Sequence, residues 1–281
     1  MTKITFGLVV YNEQDLIARC LESIKDVAAE IILVHDGECA DQTLVIARQY
    51  TDKVYVRPRQ GGSDPHRIFI LKQAQNDWVF MIDADEFLSG GLKDFLKNAT
   101  LDTVLGAYSF KWPLWNGKRY VTSSNYRACL FNRPKIWAVG LHNFSIQTVS
   151  KIEKVDFVLE HQPKQNKVGF QRFSGQFKTR IDRDARCFLQ GFGALEKFNE
   201  PLIPASFKEW YLRYIGHPLF YSYLNFVKHL LGSLKNTWRD GFYGLMASLQ
   251  SAVYQYKLAR RINQLKKEKN KRRASTDDCA T

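Results

Sequence analysis

Cysteine is scarce and unpatterned in this chain. Cys20, Cys39, Cys129, Cys187 and Cys279 are the five present, and no two are spaced CxxC. An odd number without paired spacing argues against a disulfide framework or a structural zinc site and fits a reducing compartment. Long apolar runs are also missing: no uncharged apolar stretch reaches the roughly 18 to 20 residues that a membrane-spanning helix needs. The opening segment MTKITFGLVVYNE has a short apolar run and no small-residue cleavage site, so it reads as a first β-strand of a cytoplasmic protein rather than a signal peptide. There is no internal repeat, and no RNA- or DNA-binding motif accompanies the basic residues.

Acidic residues are in deficit, with 28 Asp and Glu against 41 Lys and Arg, a net charge of +13. The imbalance is concentrated at one end. Residues 201–281 hold 14 basic and five acidic residues, and KLARRINQLKKEKNKRR (257–273) holds nine basic and one acidic. That segment reads as a solvated helix that frays. A basic surface attracts nucleic acid, anionic membranes or phosphorylated substrates, and charge alone does not choose among them. With 45% apolar residues, 281 residues suffice for a substantial core in one large domain or two small ones.

The first hundred residues alternate between apolar runs and amphipathic segments. ITFGLVV (4–10), EIILVHD (30–36), DKVYVRP (52–58) and WVFMID (78–83) read as strands. Between them, DLIARCLESIKDV (15–27), DQTLVIARQY (41–50, with Asp41 as cap) and residues 66–76 read as helices. This β-α alternation predicts a mostly parallel sheet flanked by helices, whose ligands bind at the carboxyl ends of the strands. Tyr11-Asn12-Glu13, Asp36-Gly37-Glu38 and Asp83-Ala84-Asp85-Glu86 all follow strands and fall on that edge. Asp83 and Asp85 are hard oxygen donors suited to Mg²⁺ or Mn²⁺, and a cation would relieve the repulsion among three neighbouring carboxylates. Solvated strand ends and a helix over 89–97 account for the same residues without a ligand.

Beyond residue 105 the pattern changes. Residues 107–121, 127–133 and 152–161 read as antiparallel strands, with Trp112, Trp115, Tyr120 and Trp137 either packing a core or forming a platform for a sugar ring. Residues 205–262 read as helices broken near Gly216-His217-Pro218 and Arg239-Asp240-Gly241. The uncharged stretch 242–256 is only 15 residues long; with the aromatics from Trp210 to Phe226 it suits either a membrane interface or packing against protein.

Three segments in fixed order, GLVVYNEQDLIARCLESI, EIILVHDGECADQT and GGSDPHRIFILKQAQNDWVFMIDADE, resemble the inverting family 2 glycosyltransferases of the GT-A fold. The resemblance covers most of the first 160 residues, and the D-A-D-E form is similar to the subgroup that includes lipopolysaccharide core transferases. TWRDGFYGLMASLQSAVYQYKLARR (237–261) resembles that subgroup's closing helix. The resemblance implies an α/β GT-A domain over 1–200, with a nucleotide-binding half (1–104) and an acceptor half (105–200), and a basic helical extension over 201–281. It implies that Tyr11 and Glu13 line the nucleoside pocket, Asp36 contacts the base, Arg67 approaches the phosphates, and Asp83 meets the ribose or metal. Asp85 would bind a divalent cation, Mg²⁺ or Mn²⁺, with His161 as a further ligand. The implied partners are a nucleotide-sugar donor and a glycolipid or polysaccharide acceptor; separately, the basic tail favours contact of the C-terminal helices with the inner face of the cell membrane over packing on protein.

Two positions depart from the family pattern. His35 replaces the first Asp of a usual pair. In IWAVGLHNF (136–144), His142-Asn143 stands where the subgroup usually has His-Glu, and a carboxamide is not a general base. The base candidates are then Asp156, Glu153 and Glu160. A polyprenyl-phosphate transferase, a degenerate nucleotide-sugar-binding protein and a nucleic-acid binder are the alternatives.

Overall fold

A computed structural model describes residues 2–121, 125–141, 146–164, 175–237 and 241–277. They form two compact units, residues 2–164 with 196–203, and residues 175–195 with 204–277.

The first unit is built on an eight-stranded sheet ordered β3-β2-β1-β4-β7-β6-β10-β5 among the described residues. Four strands are parallel: β1 (Ile4–Val10), β2 (Glu30–Asp36), β3 (Val54–Arg57) and β4 (Trp78–Ile82). Helices α1 (Gln14–Ile24), α2 (Thr43–Ala47) and α3 (Asp64–Gln73) join them. β1, β2 and β4 are near-continuous apolar runs because helices cover both faces of a parallel sheet. Ile17, Cys20, Leu21 and Ile24 of α1 join Phe6, Leu8, Leu33 and Phe80 in one core, while Ile68, Ile70 and Leu71 of α3 join Ile32, Val34, Val79 and Met81 in the other. At Gly7 a Cβ would meet Ile70 Cγ2 at 2.5 Å, so α3 seats directly on the β1 backbone.

The other half of the sheet is mixed. β5 (Glu86–Leu88), α4 (Gly90–Asn98), β6 (Ala107–Lys111), β7 (Tyr126–Asn132) and β10 (Ile152–His161) follow β4. β7 is antiparallel to β4 and β6, and β10 is antiparallel to β5. β10 runs parallel to β6, against the expected antiparallel pairing, since the connection from β6 returns through β7 and β8 (Ile136–Val139) before β10 begins. That direction carries His161 to the edge where β1, β2 and β4 end. β8, β9 (Gln147–Thr148) and β11 (Lys197–Phe198) form a small second sheet.

The second unit holds α5 (Gly175–Leu189), α6 (Ala205–Gly216), α7 (Pro218–Thr237) and α8 (Gly241–Asp277). The breaks fall at the expected places. Pro218 opens α7, where its missing N–H costs nothing, and Gly241, at φ +57°, opens α8. α5 and α8 are joined by Arg261 on Asp182 and by the Tyr254 hydroxyl on buried Asp184. Residues 175–195, assigned from sequence to the sheet domain, pack with the C-terminal helices.

Candidate functional site

Strand order reverses between β1 and β4, because β2 and β3 lie on one side of β1 and β4 on the other. A crevice at the carboxyl ends of these strands is the usual binding place in such sheets. Tyr11, Asn12 and Glu13 leave β1 there, Asp36 ends β2, and Asp83 and Asp85 follow β4.

The β1 and β2 ends are locked together. His35 is fully buried, with Nδ1 2.8 Å from the Gly37 carbonyl and Nε2 3.3 Å from the Asn12 amide. A carbonyl only accepts and an amide only donates, so His35 is the neutral Nδ1–H tautomer. The substituted histidine is a clamp between two loops. Asn12 takes a left-handed backbone, φ +50°, and its Oδ1 accepts from Ala40 N at 3.0 Å. Glu13 N donates to Thr43 Oγ1 at 2.7 Å, and the Glu13 carbonyl starts α1. Burial opposes the charge on Asp41, but bonds from Thr43 Oγ1 and N and from Gln14 N outweigh it and hold its carboxyl down at about 2. Tyr11 is left half-exposed with the Arg59 guanidinium 3.5 Å from its ring centroid.

Asp36 faces inward. Its oxygens accept from Gln60 N at 2.5 Å, Gly61 N at 2.9 Å and His66 Nε2 at 2.8 Å, folding the loop before α3 against β2. A base contact through Asp36 has to share or replace one of these bonds.

The carboxylates after β4 divide their work. Glu86 has no exposed surface: Arg127 and Trp112 Nε1 (2.6 Å) donate to Oε1, and Asp83 N (2.9 Å) to Oε2. Asp83 lies between two guanidinium groups, Arg67 at 2.9 Å and Arg127 at 3.1 Å. The repulsion expected among three acids is therefore relieved in part by two arginines. Asp85 turns the other way, with Oδ2 3.4 Å from Nε2 of buried His161. The His161 ring stacks on Trp112, centroids 4.2 Å apart, and the Gln162 amide donates to the Asp85 carbonyl.

Among the described residues no group of three or more His, Cys, Asp and Glu side chains converges into a complete metal site. The Asp85–His161 pair nevertheless suits a divalent ion: neighbouring donors on an octahedral ion with bonds of about 2.1 Å stand roughly 3 Å apart, close to the 3.4 Å seen. Mg²⁺ or Mn²⁺ commonly completes such a partial shell with water and phosphate oxygens.

The base candidates separate. Glu153, near the start of β10, pairs with Lys151 at the opposite end of the strand from His161. Asp156 lies on the same face as Tyr126 and Lys111, the reverse of the face that carries Arg127. The Tyr126 hydroxyl and then Lys111 hold its carboxyl below the usual range, which weakens it as a base. Glu160 adjoins His161, and burial and then its bond to the Tyr120 hydroxyl push that phenol far up. His142 and Asn143 lie outside the described residues. Of the aromatics, Trp112 belongs to the site, Trp115 and Tyr120 pair edge to face at 5.0 Å, and Trp137 is buried in β8, so the four form no common platform.

Arg127 and Arg59 were not identified from sequence, and Trp112, read there as core or sugar platform, instead holds Glu86 and His161. Arg127 leaves a faint signal: in RACLFNR the alternation places it on the same face as Phe110, and an inward charge demands a carboxylate.

Residues 5–150 match Glycosyl transferase family 2, just over half of the sequence, and the chain belongs to this family. An uncharacterized glycosyltransferase of Rickettsia felis is 40% identical over 94 residues, 34% of this chain and 32% of that protein. The chain thus matches about a third of the length of that relative. The lipopolysaccharide core biosynthesis glycosyltransferase LpsC of Rhizobium meliloti is 25% identical over 279 residues, 96% of this chain and 95% of LpsC. Among solved structures, glucosyl-3-phosphoglycerate synthase from Mycobacterium tuberculosis aligns with TM-score 0.45 and 16% identity over 66% of this chain and 79% of that one.

Proposed function

We propose that this protein transfers a sugar from a nucleotide-sugar donor to a lipid-linked, lipopolysaccharide-type glycan, with a divalent cation and with inversion. The observation that carries the reading is the pairing of Asp85 with His161 beside arginine-held Asp83, on the rim that also presents Tyr11. Family membership and the name of the full-length relative LpsC support the reaction class and the acceptor class.

The Tyr11 ring stacks on the base, with Glu13 and Asp36 lining the nucleoside pocket. Arg67 meets the phosphates and Asp83 the ribose. Asp85 and His161 would hold Mg²⁺ or Mn²⁺, and the cation would supply charge neutralisation for a diphosphate leaving group. The acceptor hydroxyl attacks the anomeric carbon from behind as the bond to the diphosphate breaks, and a carboxylate takes its proton. Of the three base candidates, Glu160 is the one at the same strand end as His161, turned by strand alternation to the opposite face. Residues 1–104 form the donor half, 105–200 contribute acceptor contacts, and the protein works on the inner face of the cell membrane.

A thermal-shift panel of nucleotide sugars, with and without Mn²⁺, tests this. A ligand at about 100 times its Kd stabilises the native state by about 2.7 kcal/mol. The expected result is a rise in Tm with one donor, only when metal is present, and its loss in Asp85→Ala with the apo Tm kept. No response to any donor, or an unchanged response in Asp85→Ala, overturns the metal assignment. The alternative of a degenerate binding protein is favoured by Asn143 in the segment where the family pattern has Glu. Donor binding without turnover of donor on any acceptor would select it.

A further inference from the structure

α7 presents a stripe of exposed apolar side chains. Leu219, Phe220, Tyr223, Leu224, Val227 and Leu231 are each between 39% and 70% exposed. At about 100° per residue these positions fall within roughly 140° of arc, so they make one stripe along the helix rather than scattered contacts. Phe242 and Leu245, 64% and 48% exposed, extend it onto the start of α8. Single exposed apolar residues need no explanation, but a stripe of this length does.

Charge selects the occupant. Between Pro218 and Lys271 the sequence holds ten Lys and Arg and two acids, Asp240 and Glu268. α8 returns alongside α7, and Lys266 Nζ donates to the carbonyls of Ile215 and Gly216 at 2.7 and 3.1 Å, just ahead of where the stripe begins. The exposed basic residues of α8, Lys257, Arg260, Lys267, Lys269 and Lys271, therefore start at the same end as Leu219 and Phe220. A protein partner of ordinary composition does not require so one-sided a charge. An interfacial helix does: its apolar face enters the headgroup boundary while basic residues meet anionic lipid.

We propose that the α7 stripe, with the basic run of α8, docks on an anionic lipid bilayer and lies in its plane. No described helix is long and apolar enough to cross a membrane, which fits a surface-lying mode. The proposal deepens the reading of a glycolipid acceptor by naming the face that meets the bilayer, and it does not depend on the nucleotide site.

Co-sedimentation of the full chain with vesicles tests it, using phosphatidylcholine alone and phosphatidylcholine with 30% phosphatidylglycerol. Donor-induced thermal shift without lipid is run in parallel, so failure of the donor site and failure of the surface are read separately. Tight binding is expected only to the anionic vesicles, weakening as NaCl rises from 0.1 to 0.5 M. F220S/L224S/L231S alters only exposed positions, and it is expected to lose at least about tenfold in vesicle affinity with Tm and donor response kept. K267E/K269E/K271E is expected to lose binding to anionic vesicles. Absence of vesicle binding by the wild type, equal binding to both vesicle types, or wild-type binding by the triple serine variant overturns the proposal. So does a dimer in lipid-free solution that F220S/L224S/L231S dissociates, which would make a second copy the occupant.

Discussion

Glu86 is the most constrained side chain of the site. It is fully buried, its charge is met by Arg127, and it also accepts from Trp112 Nε1 and Asp83 N. Replacing it with Ala leaves Arg127 with Asp83 as its remaining carboxylate and leaves Trp112 Nε1–H and Asp83 N–H without this acceptor, so Glu86→Ala is expected to destabilise the fold by about 2–4 kcal/mol. The midpoint of urea unfolding measures this; a change under 1 kcal/mol would show the network to be dispensable. Glu86→Gln keeps the size and one acceptor oxygen and is expected to cost less. Trp112 acts through its neighbours: bonded to Glu86 and stacked on His161, it sets the imidazole opposite Asp85. Tyr11 has the complementary character, half-exposed and backed by Arg59. Tyr11→Ala is expected to weaken nucleotide binding by about tenfold, near the 0.5–1.5 kcal/mol of an aromatic stack, without lowering the apo Tm. Calorimetric titration with the free nucleotide checks it.

Asp41 shows how the loops after β1 and β2 are set. Its carboxyl is held down at about 2 by Thr43 and Gln14, against an ordinary value near 3.9 in an unfolded chain. A depressed native value means that the carboxylate stabilises the fold above about pH 4 and loses that contribution as pH falls toward 2. Asp41→Asn is expected to lower Tm at pH 7 and to converge with the wild type near pH 2–3; a gap that persists at low pH would contradict the assignment. In the helical unit the matching element contact is Tyr254 on Asp184 between α8 and α5. Tyr254→Phe leaves a buried carboxylate with one donor fewer, a cost of about 1–3 kcal/mol. Thermal unfolding checks it, and donor response, which belongs to the sheet unit, is expected to be unchanged.

Charge distinguishes the whole molecule from an average domain. The +13 net charge resides mainly in residues 201–281 and attracts any polyanion. The nucleic-acid alternative makes a separable prediction, because exposed charges are screened within about 8–10 Å at 0.1–0.15 M salt while a partly buried site is not. Affinity for single-stranded DNA is expected to vanish by 0.5 M NaCl, while metal-dependent donor affinity changes by less than about threefold. Strongly salt-dependent DNA binding with no response to any nucleotide sugar would favour the alternative.

The sequence alone determined the α/β alternation, the strand ends that carry Tyr11, Asp36 and Asp83, and the helix breaks at Pro218 and Gly241, because these rest on local periodicity and on residues whose backbone is restricted. The family motifs are local in the same way. Tertiary structure decided what no short window holds. It set β10 parallel to β6, which brings His161 to Asp85 from 76 positions away. It turned Glu86 inward to Arg127, a pairing across two strands that composition cannot order. It folded Asp36 onto the loop before α3 and sent Glu153 to the far end of its strand. Which acid is buried, and beside what, depends on strand register and crossover direction. Those are set by packing the whole core rather than by any one segment.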